Sequence, residues 1–286
     1  MPKESFEQFV KRQGEKLDKA EKIVEGVKER WKGEKERFIE IVEKSVKKLK
    51  KLWEEIEKET EEEIVKKIGE ITPSRIFSFL SSLPLPEIPP FLLERTSNKF
   101  LKEFDREKFE ERDYYLRSKL GLFLSAFLKK NIENYILSQK RKGIKEEEIK
   151  PIEVHLNVKE LPIVLDFLGY RNPEKLYLII EGDCGRVIGE EMQGGEIIIE
   201  GDCEDGAGWS MQGGEIIIEG NCEDVTGWQM EGGELNIKGE VESFDKSAFS
   251  PNNKGTIIWK GIKIWENGDW TKEGKEMWEK GEIPVE

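Results

Sequence analysis

Three cysteines recur at one interval. Cys184, Cys203 and Cys222 are each nineteen residues apart. A fold that stacks this period would bring the three thiols into a column about 5 Å apart. That is donor chemistry for a soft metal or an iron–sulfur cluster. Nothing completes the set, because the chain has no CxxC pair and Val241 fills the next slot. The cysteines therefore read as small hydrophobes of a core, and no metal is expected. Asp183, Asp202 and Asn221, with the Glu-Asp pairs at 204-205 and 223-224, offer oxygen donors. The nine-residue spacing of calcium-binding β-rolls is missing, so they read as solvated acidic corners. His155, the only histidine, lies in the alternating stretch "IEVHLNV" and reads as structural. No phosphate-binding loop or dinucleotide fingerprint occurs, so neither a catalytic residue nor a cofactor is expected.

What positions the cysteines is a repeat of nineteen residues. Gly182, Gly201, Gly220 and Gly239 keep that spacing, as do Gly189, Gly208 and Gly227. The pairs Gly194-Gly195, Gly213-Gly214 and Gly232-Gly233 follow it, and so do Met192, Met211 and Met230. Trp209 and Trp228 match, with Glu190 in the earlier slot, and "GTIIWKG" at 255–261 is a further copy after a three-residue lengthening. Nineteen residues are too few for a helix pair and suit one turn of a β-solenoid, with glycines at its corners. Strand alternation puts Leu178/Ile180, Ile197/Ile199, Ile216/Ile218, Leu235/Ile237 and Ile257/Trp259 inward, and the Met column reads as interior. The intervening slots face outward and form Glu ladders around one apolar column, Ile179, Ile198 and Ile217. That column is expected to be a covered interaction surface, under the N-terminal helices or a second copy. The basic excess of the helical half is expected to neutralise the Glu ladders.

The segments "GDCGRVIGEEMQGG" and "GDCEDGAGWSMQGG" resemble the GXGXG repeat. That repeat builds the right-handed β-helix at the C-terminus of the large chain of glutamate synthase, and the same β-helix in one of the chains of formylmethanofuran dehydrogenase. The resemblance covers about residues 175–262. It implies a scaffold that packs against catalytic domains or subunits and contributes no catalytic side chain. It leaves open an accessory role in a redox or amidotransferase complex.

The first half is helical. Val10, Leu17, Val24, Trp31 and Phe38 recur every seven residues, then the stripe steps by four to Val42, Leu49 and Ile56, beside Ile39, Val46 and Trp53. This is a coiled-coil or amphipathic-hairpin pattern with one stutter, weakened at Gly14, Gly26 and Gly33. Self-association or partner docking through that stripe is expected. The prolines of 73–91 read as an extended linker, and 92–150 reads as helical again. The stretch "ELPIVLDFLGY" reads as a short helix in an N-terminal cap, 151–174. Residues 263–286 read as a C-terminal cap in which Trp265, Trp270 and Trp278 seal the open end, as exposed strand edges demand. The expected architecture is thus α+β and multidomain: 1–72 helical, 73–91 linker, 92–150 helical, then a short β-helix of 175–262 between two caps.

Composition bounds the function. Charged residues make up 37% of the chain and hydrophobic ones 36%, a balance typical of ion-pair-rich thermophilic proteins. The net charge of −13 is concentrated in residues 151–286, where 29 acidic side chains face 12 basic ones. Nucleic acid is excluded as a partner of such a surface. The longest apolar run, "LGLFLSAFL", is too short to cross a bilayer, and the polar opening residues carry no secretory signal. A cytoplasmic, non-catalytic structural or interaction protein is the expectation.

Overall fold

In the computed structural model, residues 6–59, 61–68, 70, 72–103 and 114–285 are described, with the side chains of 6–31, 61–62, 68 and 114–115 left aside. The heptad positions from Val10 to Trp31 therefore lie outside the described side chains. The chain divides after Lys44 into two units. The first is helical where described. It belongs to α1 (Phe6–Glu57), whose exposed face carries a Glu40–Lys44 pair one turn apart.

The second unit, 45–286, holds the sheet. Helices α2 (Glu61–Ile68), α3 (Pro73–Ser82), α4 (Leu93–Lys102) and α5 (Tyr114–Arg141) precede it. Then come strands β1 (Ile152–Asn157), β2 (Leu176–Glu181), β3 (Glu196–Ile199), β4 (Glu215–Ile218), β5 (Glu234–Ile237) and β6 (Thr256–Trp259). These six pair in parallel, in sequence order, as the successive rungs of a solenoid. β7 (Ile262–Glu266) and β8 (Asp269–Trp270) then turn back antiparallel, and α6 (Lys272–Glu279) follows. The architecture is α+β, with rungs of about nineteen residues.

Every inward strand position predicted from alternation is buried: Leu178, Ile180, Ile197, Ile199, Ile216, Ile218, Leu235, Ile237, Ile257 and Trp259. Met192, Met211 and Met230 are buried as well. They explain the Met-x-Gly-Gly signature. A Cβ on Gly214 would meet Met192 Cε at 2.6 Å, and one on Gly233 would meet Met211 Cε at 2.6 Å. Both glycines also take left-handed backbone, at φ +84° and +80°. Met192 and Met211 are thus each roofed by the second glycine of the next rung's pair, and Met230 by Gly255, so each Met requires a glycine one rung on.

A parallel solenoid leaves unpaired backbone at both ends, and here each end is closed. At β1, Asn98 of α4 uses both halves of its amide: Nδ2 donates to His155 O at 2.7 Å, and Oδ1 accepts from Asn157 N at 2.9 Å. One side chain so imitates a neighbouring strand. Helix α5 closes the rest of this rung. Ser125 Oγ donates to Phe167 O and Lys129 Nζ to Arg171 O. Gly121 lets the helix approach so closely that a Cβ there would sit 1.7 Å from Asp166 O. Helix α5 buries Leu120, Leu122, Phe123, Leu124, Phe127, Leu128 and Ile132, so its segment 120–128 is apolar nearly all round, as a core helix must be, whereas its last two turns are partly or fully exposed.

At the far end the β6–β7–β8 hairpin pairs the last rung, and Phe244 N donates to Pro284 O where the C-terminal residues return. Trp265 is buried, and Trp270 stacks between Phe249 and Trp278. Trp278 itself remains 45% exposed, so it is the outermost layer of a stack whose buried member is Trp265.

Two expectations are corrected. The segment 73–91 is not extended throughout, because its first ten residues form α3. Pro73 sits at the start of that helix, where its missing N–H costs nothing, and Thr72 caps it by accepting from Arg75 N. The stretch "ELPIVLDFLGY" is not a helix but a series of turns. It belongs to the first rung, with Leu165, Leu168 and Tyr170 buried inside.

Candidate interaction surface

The outward face of β1 to β6 is built from three columns, fixed by the strand register. The central column runs His155, Ile179, Ile198, Ile217, Asn236, Ile258. On one flank stand Glu153, Tyr177, Glu196, Glu215, Glu234 and Thr256. On the other lie Glu181, at the end of β2, and Glu200, Glu219, Lys238 and Lys260, just past their strands. Ile179, Ile198 and Ile217 are each partly exposed. Helix α4 packs on β1, at one end of this face. Within the chain these three residues remain partly exposed.

The two flanks differ electrostatically. Lys159 lies 3.5 Å from Glu200 and 3.9 Å from Glu181, and Lys238 pairs with Glu219. These lysines come from the solenoid half itself, not from the basic helical half as expected. On the opposite flank, no Lys or Arg among the described residues lies within ion-pair distance of Glu196, Glu215 or Glu234. Lys263 of β7 feels the charge of Glu234 from farther off, but its own ion pair is with Glu266. Burial, reinforced by Glu234 and Glu196 on either side, raises the pKa of Glu215. A ladder of like charges one rung apart is repulsive, and this one has no counter-ion in contact among the described residues.

At the β1 end, Glu94, Asn98 and Lys102 of α4 meet His155, Asn157 and Glu181 around a hollow of about 330 Å³. His155 Nε2 lies 2.9 Å from Glu153 Oε1. That contact, with the charges of Glu94 and Glu181, raises the imidazole pKa. A second hollow, of about 460 Å³, lies where α3 and α5 meet Arg171 and Gln193. Its cations are engaged within the protein: Lys129 by Glu133 and Gln193, Arg171 by Glu191 and Ser74. Nearby, burial pushes the Glu190 carboxyl up to about 7, with Glu191 adding to the shift and Arg171 opposing it.

The cysteine column is where the period placed it. Cys184, Cys203 and Cys222 are bridged rung to rung, with Val241 continuing the column, and all are buried. Hydrogen bonds with Cys184 and Cys222, together with burial, push the Cys203 thiol up. The described residues contain no group of three or more His, Cys, Asp or Glu side chains arranged to hold a metal. The Asp183, Asp202 and Asn221 corner has a backbone use. Each side-chain oxygen accepts the N–H of the next rung, at Asp202, Asn221 and Glu240. No described helix is long and apolar enough to cross a membrane.

Sequence reasoning missed Asn98 and the pair Arg117–Asp166. Asn98 gives no signal, because an amide on a helix becomes a strand mimic only when a sheet edge is set beside it. Asp166 hides in a rung too long to share the nineteen-residue period.

Set beside known family profiles, curated proteins and solved structures, the chain matches none of them.

Proposed function

We propose that this chain is a non-catalytic interaction protein that presents the outward face of its solenoid to a protein partner. The observation that carries this reading is the contrast between edges and face. Both ends of the sheet are closed by dedicated groups, Asn98 and α5 at one and the β7–β8 hairpin at the other. The face between them keeps a partly exposed isoleucine column beside a carboxylate ladder that has no paired counter-ion among the described residues. An apolar strip rimmed by uncompensated charge is suited to binding, since a partner can bury the one and neutralise the other.

The test is affinity capture from the source organism with the full chain and with Glu215→Lys and Ile198→Asp. The expected result is a partner retained by the unaltered chain and lost from both variants. Identical sets of retained proteins, or none, would overturn the reading.

The spacing of Met and paired glycines supports a second reading on the same surface, an accessory subunit of a redox or amidotransferase complex. In that case the protein retained would carry the flavin or iron–sulfur chromophore, visible in its absorption spectrum.

A further inference from the structure

The geometry of the face restricts what can lie on it. Successive rungs are about 4.8 Å apart, so Glu196 and Glu234, two rungs apart, are separated by about 9.6 Å along the axis. A helix laid along that axis repeats a side chain every seven residues, a rise of about 10.5 Å. The two spacings differ by about 1 Å over two rungs, within reach of a flexible lysine. A strand laid the same way repeats its facing side chains every 6.8 Å or so, and its nearest one is about 2.8 Å out of step after two rungs, about three times the mismatch of the helix. Width agrees too. The flanking columns stand about 13 Å apart, two strand residues to either side of the centre, close to the diameter of a helix with its side chains. Charge then sets the polarity of the occupant. The Glu181–Glu219 flank already has Lys159 and Lys238, whereas the Glu196–Glu234 flank has no paired cation among the described residues.

We propose that the occupant of this face is a basic amphipathic helix of a partner protein, lying along the solenoid axis. Its apolar stripe rests on Ile179, Ile198 and Ile217, and a row of Lys or Arg meets Glu196, Glu215 and Glu234. The inference rests on the reading of this face as a protein-binding surface and names the partner's chemistry.

It is tested with a designed, stapled helical peptide of about 20 residues, long enough to hold its helix, carrying a Leu row beside a Lys row. One control replaces the Lys row by Glu, and another rearranges the same residues into strict Leu/Lys alternation. Fluorescence anisotropy with the full chain should show the Lys helix binding about tenfold or more tighter than either control, and weakening with salt. Glu215→Lys and Ile198→Asp, each checked for cooperative unfolding, should both weaken it by about tenfold or more. Failure of the Lys helix to bind, equal binding of the alternating peptide, or indifference to both substitutions would overturn the inference. So would light scattering that shows these two substitutions dispersing a dimer of the chain, since the occupant would then be a second copy. If both substitutions release a captured native partner while the Lys helix does not bind, the interaction reading stands and the helical occupant falls.

Discussion

Arg117 Nη2 lies 2.8 Å from Asp166 Oδ1, in a pair whose side chains are 5% and 0% exposed. It fastens α5 to the first rung. Asp166 also accepts from Ser118 Oγ and from Arg186 N, and Arg117 reaches on to Glu204, two rungs from Asp166. Those contacts, against the cost of burial, raise the pKa of the guanidinium. Replacing Arg117 by Met leaves buried Asp166 with only the longer ion pair to Arg186, at 3.8 Å, and should cost up to about 3–5 kcal/mol in urea unfolding. Adding Asp166→Asn should then cost less than the sum of the two single losses, because the two side chains share one interaction.

The Asn98 amide offers a more local test. Asn98→Leu keeps the volume but abandons His155 O and Asn157 N at the sheet edge. The expected loss is about 1–3 kcal/mol. Hydrogen exchange at the Asn157 amide should accelerate far more than at amides in β3 and β4, which distinguishes an opened edge from general destabilisation.

Glu190 should leave a signature in pH. Its folded pKa, raised from 4.5 to about 7, means that the native state binds the proton more tightly than the unfolded chain does. Stability should therefore increase as pH falls from above 7 towards 4.5, and the increase should shrink in Glu190→Gln to the part that other groups with raised pKa, such as His155, contribute. At pH 8 that variant should be more stable than the unaltered chain by roughly 1–3 kcal/mol. Melting temperatures of both proteins from pH 5 to 8 would measure the difference.

The cysteine column should behave as packing. A disulfide-exchange reagent such as Ellman's should leave all three buried thiols unmodified until the chain unfolds, and then titrate three. Cys203→Val, which extends what Val241 already does in that column, should be nearly neutral in stability. Cys203→Ser should cost about 1–3 kcal/mol, because it places a stronger polar group in an apolar stack.

The solenoid was legible because its rungs are alike. Once Gly201 and Gly220 are seen to repeat, each residue predicts its neighbour, and alternation separates Ile197 from Ile198. The first rung escaped that logic. Ile152 pairs with Leu176, an offset of 24 residues, so its extra turns broke the period and resembled a helix. Pro73 misled for another reason. Proline both ends one helix and begins the next, and only the Thr72 side chain, accepting from Arg75 N, tells the two apart. What covers Ile198 was not legible, because patterning shows which side chains leave the core. It does not show what lies across from them.

The roofing of each Met by the glycines of the following rung carries an evolutionary consequence. Whatever precedes a rung and whatever follows it see the same surface. A duplication or deletion of one complete nineteen-residue unit, such as 201–219, would leave every thioether of the column beneath a glycine of the next rung and both capping ends against edges equivalent to those they now meet. Such a lineage can lengthen or shorten by whole units without redesigning its core. The number of rungs then becomes a heritable dimension, free to track the length of whatever lies along the face.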